Sequence, residues 1–104
     1  MKAVNLVQNG TIVLPIDRSR SGVAVVGTPA GTAAGAVFVI EIELFPDAWN
    51  TVGLFNGVTQ AKADNVTGPG QYGWADVPGA QRIRVRRTDG TGGDGSVGLD
   101  FFLS

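Results

Sequence analysis

The chain has no cysteine and no histidine in its 104 residues. The first absence excludes disulfides, zinc–thiolate sites and thiol nucleophiles. The second removes the usual general base near neutral pH and the commonest metal ligand. Charge is sparse: eight basic and nine acidic residues leave a net charge of −1. A general affinity for nucleic acid or for an anionic membrane surface is therefore not expected. No apolar run approaches the roughly 20 residues needed to span a bilayer. The start, MKAVNLVQNG, lacks the apolar stretch and small-residue cleavage site of a secretory signal. Synthesis in the cytosol is the expectation, and a chain of this length reads as one domain with one modest core. No catalytic residue, cofactor or metal site is expected.

Glycine, by contrast, is abundant, with 16 residues beside five prolines. Apolar segments lie between them, so they punctuate strands rather than mark disorder. Strands are expected over Lys2–Val7, Thr11–Leu14, Gly22–Thr28, Ala36–Phe45, Ala48–Phe55, Gln71–Val77, Gln81–Thr88 and Ser96–Leu103. In the fourth, Phe38, Ile40, Ile42 and Leu44 share one face, and Val39, Glu41 and Glu43 the other. Asp17–Ser21, Pro29–Gly35 and Asp89–Gly95 read as loops, the last a mobile one; Val58–Val66 is ambiguous. About eight short antiparallel strands with frequent turns define an all-β, single-domain β-sandwich of jelly-roll type. The expected core is Val25, Phe38, Ile40, Ile42, Leu44, Val52, Leu54, Ile83, Val85, Val97, Leu99 and Phe101.

Chemistry is densest in QRIRVRRT, Gln81–Thr88. Ile83 and Val85 alternate with Arg82, Arg84 and Arg86, the pattern of a strand with one dry and one wet face. Arg87 adds a fourth guanidinium to this row, which holds half of the basic residues of the chain. Two readings stand. The arginines pair with Glu41 and Glu43 across the sheet, or they meet the acids of a partner, where bidentate geometry gives orientation.

Asp89 and Asp94 in DGTGGDG match neither an EF-hand loop nor a β-roll repeat, and a glycine-rich hairpin tip explains them better. Glu41 and Glu43 are spaced as a hydrolytic pair could be, but so short a chain has little material for a cleft. Trp49, Tyr72 and Trp74 read as core anchors, or as a sugar-stacking platform if all three share one exposed face. Phe102 alternates with Phe101, so it should leave the core and is a candidate interface residue.

The run GWADVPGAQRIRVRRT, Gly73–Thr88, with the later GSVGLDFFLS, resembles a pattern in small virion proteins of tailed bacteriophages. It covers about a third of the chain and contains no catalytic motif. The resemblance implies a structural role in the virion, as a capsid decoration (cement) protein. The implied partners are the phage major capsid protein and further copies of the chain, as a dimer or trimer. The implied contact set is Arg82, Arg84, Arg86, Arg87 and Phe102. The alternative is a carbohydrate- or receptor-binding module of a tail appendage.

Overall fold

The structure, a computed structural model, describes residues 2–16 and 20–103; Asp17–Ser19 of the expected DRSRS loop lie outside them. Among the described residues eleven strands form: β1 (Val4–Asn5), β2 (Thr11–Pro15), β3 (Gly22–Gly27), β4 (Val37–Phe45), β5 (Ala48–Val52), β6 (Leu54–Asn56), β7 (Lys62–Ala63), β8 (Val66–Thr67), β9 (Tyr72–Val77), β10 (Arg82–Arg87) and β11 (Ser96–Leu103). Every pairing is antiparallel. No helix occurs among the described residues.

The count exceeds eight for two reasons. The expected strand Ala48–Phe55 breaks at Gly53, where the chain passes from one sheet to the other. The ambiguous stretch Val58–Val66 contributes β7 and the start of β8. The expected strand Lys2–Val7 shortens to β1.

The pairing is nested. β1 pairs β11, β2 pairs β10, β3 pairs β9 and β4 pairs β5. The chain is thus one long two-stranded ribbon, and the pairings β3–β11 and β4–β10 roll it up. Two sheets result, a six-stranded one in the order β1-β11-β3-β9-β6-β7 and a five-stranded one in the order β2-β10-β4-β5, with β8 on β4. Their inner faces enclose one core, with Phe38, Ile40, Ile83 and Val85 from one sheet and Ala24, Val26, Val97 and Leu99 from the other.

Of the expected core, Phe38, Ile40, Ile42, Leu54, Ile83, Val85, Val97 and Leu99 are buried, while Leu44, Val52 and Phe101 pack partly buried against them. Val25 is a correction. It lies on the outer side of β3, and Ala24 and Val26 face in. β3 reads GVAVVG, apolar on both sides, so its composition does not choose a face. Pairing with β11 decides it, setting Val26 beside Leu99 and small Ala24 beside bulky Phe101.

Candidate functional site

The sandwich has two outer faces, and the candidate residues divide between them. On the five-stranded sheet, the register of β10 against β4 places Arg82 beside Glu43 and Arg84 beside Glu41. Opposite charges directly across a strand pair stabilise that register. Arg82 donates from Nε to Glu43 Oε1 at 2.8 Å, and its Nη2 bonds the second carboxylate oxygen. The Asp47 backbone N–H also donates to Glu43 Oε2, at 2.8 Å. Arg84 and Arg86 both donate from Nε to Glu41 Oε1, at 2.8 and 2.9 Å, and Arg86 Nη2 reaches Oε2. The carboxylates are the buried members: Glu41 is 5% and Glu43 2% exposed. Burial opposes ionisation of Glu41, but the hydrogen bonds from Arg86 and Arg84 outweigh it and hold the carboxyl below its ordinary value. Trp49, on β5, lies beneath this network. The guanidinium carbon of Arg84 sits 4.1 Å and that of Arg82 5.1 Å from the indole centroid, a cation–π arrangement.

Arg87 is a correction to the reading of the wet row. It is 2% exposed and points into the end of the sandwich. All five of its N–H groups have acceptors. Nε and Nη2 clasp Asp89 at 2.9 and 3.0 Å, and Nη1 donates to the Leu6 and Gly93 carbonyls at 2.7 and 2.8 Å. Nη2 also reaches Thr91 Oγ1 at 3.2 Å. Gly95 makes this possible, since a Cβ there would collide with Arg87 and the Leu6 carbonyl. Asp89 additionally accepts from the Val37 N–H at 2.8 Å, which ties the loop to β4. The Arg87 hydrogen bond holds the Asp89 carboxyl far below the usual carboxylate range, against the effect of burial. The loop Asp89–Gly95, expected to be mobile, is therefore clamped at its base. Asp94 is engaged as well: its Oδ1 accepts from the Ser96 hydroxyl at 2.6 Å and backbone N–H at 2.8 Å, and it is held below its ordinary pKa by these bonds. No cluster of acids suited to a metal ion occurs among the described residues.

Phe102 lies on the other sheet, so the five expected contact residues do not form one surface. The outer side of the six-stranded sheet is set by register. Phe102, Val23 and Asp76 form one row across β11, β3 and β9; Asp100, Val25 and Trp74 form the next, and Gly98, Gly27 and Tyr72 the third. Phe102 is 57% and Tyr72 49% exposed. Trp74 stacks on Phe55 of β6, with ring centroids 4.6 Å apart. Where Gly27 and Gly98 stand side by side, the lack of side chains leaves a shallow dish of about 330 Å3, walled by Tyr72, Pro29 and Val25. Trp49, Tyr72 and Trp74 thus lie on opposite faces of the molecule, and none is in the core.

These features define a two-sheet, all-antiparallel domain with one charge-paired face and one largely apolar face. No family model matches the chain, and no curated protein matches it in sequence. Its fold is similar to that of the SPBc2 prophage-derived protein YomS, with a TM-score of 0.68 and 11% identity, covering 100% of this chain and 88% of that one. At that identity the likeness is one of fold.

Proposed function

We propose that the chain is a bacteriophage virion structural protein, a capsid decoration (cement) protein that stabilises the head lattice through protein–protein contacts, without catalysis. The observation that carries this reading is the contrast between the two faces. The arginine row meets its acids within the chain, whereas Phe102, Tyr72, Val23 and Val25 form a band open to a partner. A band of aromatic and aliphatic residues with few charges has the composition of an interface centre. The similarity in fold to a prophage-derived protein supports a phage setting. The nested pairing supports the jelly-roll reading, since a rolled antiparallel ribbon in two sheets is the plan of that class, which recurs in viral capsid domains. A small domain gains apparent stability from docking many copies on a lattice.

The test is light scattering for the state in solution, as monomer, dimer or trimer, followed by co-sedimentation with purified phage heads assembled without this protein. Saturable binding at a fixed ratio to the capsid subunit is the expected result. A protein that ignores heads but binds a glycan would favour the tail-appendage reading. That reading now has only Tyr72 and Trp74 on one face, Trp49 lying under Arg84 on the other.

A further inference from the structure

The five-stranded face shows what this chain does with an indole beside carboxylates. It lays arginines over them, with Arg84 on Trp49 and its Nε bonded to Glu41. The six-stranded face presents a similar set without the arginines. Tyr72, Trp74 and Asp76 form one side of β9 by simple alternation. The strands β3, β9 and β11 contain no lysine or arginine, and Lys62 stands on β7 at the far edge of the sheet. Among the described residues Asp76 forms no ion pair.

Resting on the reading of the chain as a lattice-binding protein, we propose that this face docks an extended, basic segment of its partner protein. The geometry specifies the segment further. The glycine-floored dish beside Tyr72 takes one bulky apolar side chain, because its floor and walls carry no charge. Asp76 lies four residues along the same strand face, about 13 Å away by strand rise. An extended segment crossing this strip therefore places an apolar residue and an arginine or lysine four positions apart. The cation meets the Asp76 carboxylate, and its stem lies against Trp74, gaining charge complementarity and cation–π attraction at one end. The apolar residue fills the dish at the other. Val23 and Phe102, in the row of Asp76, extend the apolar ground beneath the segment.

The probe is the capped peptide Phe-Thr-Val-Thr-Arg, titrated into the full chain and followed by two-dimensional NMR, in which the two indole N–H signals are separate. The expected result is saturable movement of the Trp74 indole and the Val23 and Asp76 amides, with the Trp49 indole still. A peptide with glutamate in place of arginine should bind at least about threefold more weakly, and Asp76→Asn should weaken the arginine peptide about threefold, the value of one exposed ion pair. Absence of saturation up to about 10 mM would overturn the proposal, since a contact that weak carries little recognition. Movement at Trp49 instead, or equal binding of the glutamate peptide, would also overturn it. So would movement of the same signals with protein concentration alone, which would assign the face to a second copy. The two levels of the account separate cleanly. Heads that bind Asp76→Arg as well as the natural chain exclude this face but keep the cement function. Heads that bind neither exclude the cement function, while the peptide titration still judges the face.

Discussion

On the five-stranded sheet, Trp49, Glu41 and Glu43 lie beneath arginines of β10. On the six-stranded sheet, β3, β9 and β11 carry no arginine, and among the described residues Trp74, Tyr72 and Asp76 make no cation–π contact or ion pair. The difference follows from burial. Glu41 and Glu43 are nearly inaccessible, and a buried carboxylate needs charged and hydrogen-bonding partners to stay ionised. Their arginines are thus part of the fold and fix the β4–β10 register. Asp76 is exposed, so water serves it, and the apolar residues around it cost little. A row of arginines in a sequence is a conspicuous invitation to propose a partner. Here it completes the chain's own sheet, and the quieter face is left open.

The largest effect that sharpens this comparison is expected at the fourth arginine. Arg87→Met removes the charged donor that clasps Asp89 and that also serves the Leu6 and Gly93 carbonyls, leaving Asp89 only the neutral donors of Val37 and Thr91. A loss of about 3 kcal/mol or more in urea unfolding is expected, the usual consequence of breaking a buried pair. Acid comes next. Asp89 and Glu41 both have folded pKa values below the ordinary carboxylate range. Their contribution is present above the unfolded value of about 4 and is lost as pH falls below it toward the folded values. The unfolding midpoint should therefore drop between neutral pH and pH 3, and Asp89→Asn should flatten that dependence while lowering stability at pH 7.

Smaller, and aimed directly at the contrast, is a matched pair of neutralised acids. Glu43→Gln should cost about 1 to 3 kcal/mol, because Arg82 and the Asp47 N–H lose a buried charged acceptor. Asp76→Asn should change stability by less than about 0.5 kcal/mol. Equal losses in urea unfolding would break the comparison. The smallest effect is expected from salt. Raising ionic strength should leave the fold nearly unaffected, since its principal ion pairs have a buried partner, yet should weaken the arginine peptide at the exposed Asp76.

Particular residues show what was legible in the sequence. β10 declares its faces because Ile83 and Val85 alternate with charge, and Glu41 and Glu43 supply the complementary row on β4. Val25 reads as core in the sequence but lies outside, because β3 is apolar on both sides and only the pairing with β11 chooses between them. The passage between sheets is marked only by an isolated glycine, Gly53, in a stretch that otherwise reads as one strand. Arg87 did leave a signal: two adjacent arginines in a strand cannot share a face, the reasoning that separates Phe101 from Phe102. Asp89, two residues on, is spaced to meet it. The dish beside Tyr72 depends on Gly27 and Gly98 standing abreast, a matter of register that no local pattern contains.

The most direct test of the account is hydroxyl-radical footprinting of the chain free and bound to heads, because one spectrum reports both faces. The account predicts protection of Tyr72, Trp74 and Phe102 on binding, with Trp49 labelled equally in both states. Protection of Trp49 with Tyr72 and Trp74 still open would contradict it, and would return the arginine face to the role of the docking surface.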